Sequence, residues 1–165
     1  MATPYMDFVA AQMQGLRARM TANMDAHQRN ASRQSVRSLR VEQHANGVTL
    51  WGSRSWLVME HGRGAGKIPR DLDKIIFQWS KDKGIRIAPM PYRRGRGKYT
   101  PEDRARWQFA RAVAHRIAVE GTLLHRRGGF EDIMSTAIEE TSNEVLQYLF
   151  DRTKSEIRYI NAKLK

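Results

Sequence analysis

Val48-Thr49-Leu50-Trp51-Gly52-Ser53-Arg54-Ser55-Trp56-Leu57-Val58-Met59-Glu60 is the stretch whose reading decides the fold. Two short runs rich in β-branched, aliphatic and aromatic residues flank Gly52-Ser53-Arg54. The spacing predicts strands over 48–51 and 55–59, joined as a hairpin. The second run is apolar on alternate and adjacent positions alike, so burial on both faces is expected.

Towards the N-terminus, Asn46-Gly47 marks a turn, preceded by the polar, basic residues 27–46 with His27, Arg29, Arg33, Arg37 and Arg40. Before them Met6, Val9, Met13, Leu16 and Met20 recur at gaps of three and four, with Tyr5, Phe8 and Met24 beside the stripe. That is the apolar seam of an amphipathic helix, suited equally to its own core or to a neighbouring subunit.

Towards the C-terminus comes the glycine-rich loop His61–Pro69, then a helix with Leu72, Ile75, Ile76 and Trp79 on one face. Asp71 lies at its start and Gly84 just past its end. Ile85-Arg86-Ile87-Ala88 reads as a short edge strand, and 89–100 as a basic loop punctuated by Pro and Gly. Thr100-Pro101-Glu102-Asp103 opens a helix in which Trp107, Ala110, Val113, Ala114 and Ile117 share a side, closed by Gly121. After a connecting loop, helical spacing runs from Phe130 through Ile133, Ala137, Val145, Leu149, Ile157 and Ile160. The expected fold is α+β: a small antiparallel sheet, with its hairpin near 48–60, flanked by helices, with long N- and C-terminal helices. A single domain over 1–165 is expected, with an N-terminal helix or arm (1–40), a core (47–121) and a C-terminal helix (130–162).

The 29 basic and 17 acidic side chains give a net charge of +12, unevenly placed. Residues 1–70 balance at +6, 71–85 at zero, 86–116 at +7 and 117–165 at −1. Such asymmetry points a face towards a polyanion, nucleic acid above all. The absence of cysteine removes disulfides, thiolate metal sites and cysteine nucleophiles together. The start shows no basic leader followed by an apolar core, so no signal peptide is expected. No apolar run approaches the roughly 20 residues that span a bilayer, so no membrane partner is expected, and synthesis in a reducing cytoplasm is.

Gly62 to Gly66 is one residue short of a nucleotide-binding loop, and Ile68-Pro69 stands where the magnesium-ligating hydroxyl belongs. Gly62, Arg63, Gly64, Gly66 and Lys67 are instead candidates for a mobile or interface loop. His27, His44, His61, His115 and His125 lack the paired spacing of helical metal sites, so no metal or cofactor is expected. Glu60-His61 is the one adjacent acid–histidine pair, a structural feature in most proteins. Without a nucleophile elbow or a carboxylate pair, an enzyme is not expected. Arg93, Arg94, Arg96 and Lys98, between Tyr92 and Tyr99, are the candidate contacts to DNA or another polyanion. Such contacts give salt-dependent, sequence-independent affinity, and the tyrosines suit stacking on single-stranded bases. The same loop suits an acidic patch on a partner protein.

Four segments in order carry a resemblance: Glu60-His61-Gly62-Arg63-Gly64-Ala65-Gly66-Lys67-Ile68-Pro69, then Trp79-Ser80-Lys81-Asp82-Lys83-Gly84-Ile85, then Ile117-Ala118-Val119-Glu120-Gly121-Thr122, then Phe130-Glu131-Asp132-Ile133. Over roughly 55–140 the chain resembles the minor tail, or tail-completion, family of tailed bacteriophages, whose members join head to tail. It departs from that family at Leu123–Gly129, in place of an aromatic–proline run, and in a longer, more basic 89–100 loop. The resemblance implies a structural virion protein of the neck or tail, made in the bacterial host. It implies a homo-oligomeric ring, sixfold or twelvefold, seated on other connector or tail-tube proteins and lining the channel for DNA passage. The alternative from the residues alone is a small basic protein that binds nucleic acid without reading sequence.

Overall fold

The computed structural model describes residues 4–29, 32–66, 68–92 and 97–164. The order of elements is α1 (Pro4–Ala26), α2 (Gln34–Arg37), β1 (Arg40–His44), β2 (Gly47–Trp51), α3 (Ser55–His61), α4 (Leu72–Asp82), α5 (Pro101–Glu120), α6 (Leu123–Arg126) and α7 (Ser135–Lys163). The fold is α+β, with a two-stranded antiparallel sheet and long helices at both ends. The chain divides into two compact units, passing from one to the other within α3. A terminal unit holds residues 1–30, 34–56 and 132–165; a central unit holds 31–33 and 57–131.

In the terminal unit the hairpin is displaced from its expected place. Val48–Trp51 is a strand, but its partner is Arg40–His44, in the register Arg40↔Trp51 to His44↔Gly47. Ser55–Met59 belongs to helix α3 instead. The reason is a turn at Ser53 and contacts to Ser35, some twenty residues earlier. The Trp56 N–H donates to the Ser53 carbonyl at 3.2 Å, starting a turn that continues as helix. Ser53 and Ser55 hydroxyls bond to each other, and Ser55 bonds Ser35 at 2.9 Å. Trp56 is buried, and its indole N–H donates to the Ser35 carbonyl at 3.2 Å. Leu57 and Val58, expected inside, are exposed. The sheet therefore belongs with the terminal helices rather than with the segment leading to residue 121.

The seam of α1 is buried within its own chain. Met6, Leu16, Met20 and Met24 meet the hairpin and α7, alongside Ile133, Ala137 and Thr141. Polar contacts run antiparallel along the pair. Asn23 donates to the Ile133 carbonyl at 3.2 Å, and Arg19 reaches Thr141 at 2.8 Å, Glu140 at 3.3 Å and Glu144 at 3.4 Å. Phe8 stacks on Tyr148 with centroids 3.8 Å apart, and Arg152 lies over Tyr5.

In the central unit α4 and α5 pack around Ile76, Ala110 and Ala114, with Leu72, Phe77, Phe109, Val113 and Ile117 against them. The alanines allow close approach of the two backbones. The start of α5 follows expectation: Thr100 Oγ1 accepts the Asp103 N–H at 3.1 Å, satisfying one of the helix's orphan donors. The buried face of α4 is rotated from the expected one. Ile76 and Ser80 are inside, while Ile75 and Trp79 are exposed. Phe77 stacks on Trp107 at 4.4 Å, and the buried Ser80 hydroxyl accepts from Arg106 at 3.0 Å. Those two contacts fix the rotation. Ile85–Ala88, expected as an edge strand, forms no ladder in the described structure.

Candidate functional site

The glycine-rich loop is fastened along its described length. The Arg63 N–H donates to Thr122 Oγ1 at 2.8 Å, and the Thr122 N–H returns a bond to the Arg63 carbonyl at 2.8 Å. The Gly66 N–H donates to the Ala118 carbonyl at 2.9 Å. Glycine is required on both sides of this clasp. A Cβ on Gly62 (φ +72°) would lie 2.6 Å from the His125 nitrogen, and one on Gly121 (φ +81°) 2.7 Å from the Arg63 carbonyl oxygen. Gly64 lies against the His125 ring. The structure thus brings together the first and third segments of the resemblance, Glu60–Gly66 and Ile117–Thr122. Gly62, Arg63, Gly64 and Gly66 hold the end of α5; Lys67 lies outside the described residues. The glycines were legible in the sequence, but their partner Thr122, 59 residues away, was not.

Glu60 and His61 part company. Glu60 is fully buried and its carbonyl accepts the Glu131 N–H at 2.9 Å; His61 is exposed beside Phe130, centroids 5.4 Å apart. Among the described residues no group of three or more His, Asp or Glu side chains is placed to hold a metal ion. No described helix is long and apolar enough to cross a membrane.

Of the candidate polyanion contacts, Arg93, Arg94 and Arg96 lie outside the described residues. Lys98 is described and exposed, its ammonium 5.6 Å from the Tyr99 ring centre. The approach to this segment through residues 90–92 is anchored on α5. The Met90 N–H donates to the Pro101 carbonyl at 3.0 Å, and Arg104 donates to the Pro91 carbonyl at 2.8 Å while lying 4.3 Å over the Tyr92 ring. Gly97 abuts the tip of that ring. Charge follows the division of the chain. The central unit carries 18 basic and 8 acidic residues, and the terminal unit 11 and 9.

A second surface was only partly legible. Past Arg152, α7 continues through residues 153–163 with every side chain exposed. Leu146, Phe150, Thr153, Ile157, Ile160 and Leu164 recur at gaps of four and three, the spacing of a helix–helix seam. Its five large apolar members are between 53% and 81% exposed. The sequence spacing pointed to Ile157 and Ile160, but earlier in the helix to Val145 and Leu149, which are half-buried; the exposed Leu146 and Phe150 in line with Ile157 and Ile160 were missed.

No family model, curated protein or solved structure matches the chain.

Proposed function

We propose that this chain is a non-enzymatic structural component of a tailed-phage virion: a subunit of a sixfold or twelvefold ring in the neck or tail, part of the channel through which DNA passes. The observation that carries the assembly is the exposed seam on α7. Five large apolar side chains at heptad spacing ask for a partner helix, because leaving such a stripe in water forgoes the burial that its regular spacing makes possible. A ring repeats one heterologous contact around its axis, so the α7 seam would meet a different surface of the next subunit. The address within a phage rests on the succession of four segments between residues 60 and 133. Peptide mass spectrometry of purified virions tests it: the chain is expected at a copy number that fits one ring, and its absence from particles would overturn the proposal.

The concentration of charge in the central unit favours a second reading, a small protein that binds nucleic acid without sequence preference. It is expected to bind free DNA with an affinity that collapses as salt rises. Unchanged binding after neutralising Arg93, Arg94, Arg96 and Lys98 would remove its main support.

A further inference from the structure

One flank of the α4–α5 pair gathers rings and cations in alternation. Phe77 covers one face of Trp107, and Tyr99 meets Trp107 at 6.2 Å with its ring tilted by 48°. Arg111 lies 5.9 Å from the Trp107 centre, Lys81 4.5 Å from Phe77, and Arg104 and Lys98 sit on Tyr92 and Tyr99. Asp103 on this flank is engaged by Lys81 at 3.2 Å. Tyr99 is exposed, and Trp107 half-buried, backed by Phe77.

We propose that this flank binds single-stranded nucleic acid, with bases stacking on Tyr99 and Trp107 and phosphates held by Lys98, Arg104 and Arg111. The proposal rests on the nucleic-acid reading above and gives it a place and a substrate form. The chemistry discriminates between strands. Cations alone attract any polyanion, duplex included, in proportion to phosphates neutralised. Aromatic faces reward only unstacked bases, because a duplex keeps its bases covered. Rings within 6 Å of several cations serve both halves of a nucleotide at once. The site stands on residues either side of the 93–96 segment and needs no placement of those arginines.

Fluorescence anisotropy of the full chain with a labelled oligothymidylate, and with a duplex of matched length, tests this at low and moderate salt. Single strands are expected to bind more tightly. Tyr99→Ala, an exposed change that leaves the α4–α5 core intact, is expected to weaken the single strand at least about fivefold with little effect on the duplex. Trp107→Leu is expected to do the same, with circular dichroism checking that it folds. Neutralising Lys98 and Arg111 to Gln is expected to lower the single-strand salt slope by about 1.4. Equal affinity for both forms, unmoved by Tyr99→Ala, would overturn this site while leaving the nucleic-acid reading intact. No binding to either form at low salt would overturn both. Polyglutamate competing as well as unlabelled oligothymidylate would overturn the site in favour of an acidic protein surface.

Discussion

Arg63 and Thr122 are joined reciprocally: the Arg63 peptide N–H donates to the Thr122 hydroxyl and the Thr122 N–H to the Arg63 carbonyl, both at 2.8 Å, and the hydroxyl itself donates to that carbonyl at 3.4 Å. This reciprocal pair converts a loop of glycines into a clasp on the end of α5. Replacing Thr122 by Val keeps the shape and removes the acceptor, leaving the part-buried Arg63 N–H to be satisfied elsewhere. A loss of about 1–3 kcal/mol is expected by urea denaturation, with Thr122→Ser close to wild type. Equal stability of the Val variant would show that the Thr122 hydroxyl, which also accepts the His125 N–H, contributes nothing to the clasp.

The glycines should divide by what a side chain would meet. Gly84 and Gly128 have positive φ but open space around them, so alanine there is expected to cost only backbone strain, about 1–2 kcal/mol. Gly62 and Gly121 combine positive φ with backbone atoms under 3 Å from the added Cβ. Their alanine variants are expected to be distinctly less stable than Gly84→Ala or Gly128→Ala. A common value for all four in thermal melts would contradict the close approach.

Asp132 accepts the Thr136 N–H at 2.9 Å in the first turn of α7. Hydrogen bonds from the Thr136 side chain first, and from its peptide second, hold the Asp132 carboxyl below its ordinary range, helped slightly by His27. The charged form is thus favoured in the folded state. Its contribution is complete above the ordinary aspartate range and is lost as pH falls through the lowered value. The stability difference between wild type and Asp132→Ala is therefore expected to be largest near neutrality and to shrink in acid. A difference that grew as pH fell would reverse the assignment.

The part of the fold that sequence made legible is the part set by local chemistry. Thr100-Pro101-Glu102-Asp103 capped α5 as expected, and in the α1 seam Met6, Leu16, Met20 and Met24 are buried, with Val9 and Met13 half-buried. What escaped was decided by partners distant in the chain. Ser55–Met59 has strand composition, and a short apolar run does not distinguish strand from helix by periodicity. It became helical because Ser53 turned the chain and Ser35 received the Trp56 indole. Arg40–His44 looked like a solvated stretch because four of its five side chains are polar; its pairing is set by β2 rather than by its own composition. In the candidate sites, cations were legible by charge, but the Phe77–Trp107 stack joins residues 30 apart on two different helices. No local pattern announces it.

The proposed assembly through α7 makes a demand on mutants that folding does not. Ile157 and Ile160 are more than half exposed, so lysine at both is expected to change the stability of the isolated subunit by no more than about 0.5 kcal/mol per site. The same pair of charges would sit inside a helix–helix seam in an assembly and disrupt it.

Native mass spectrometry of the wild-type chain and of the Ile157→Lys, Ile160→Lys double variant, across protein concentration, tests the assembly most directly. The expected result is a closed oligomer of six or twelve subunits for the wild type, and a folded monomer for the variant. A wild-type chain that stays monomeric at every concentration, or an oligomer indifferent to both substitutions, would contradict it.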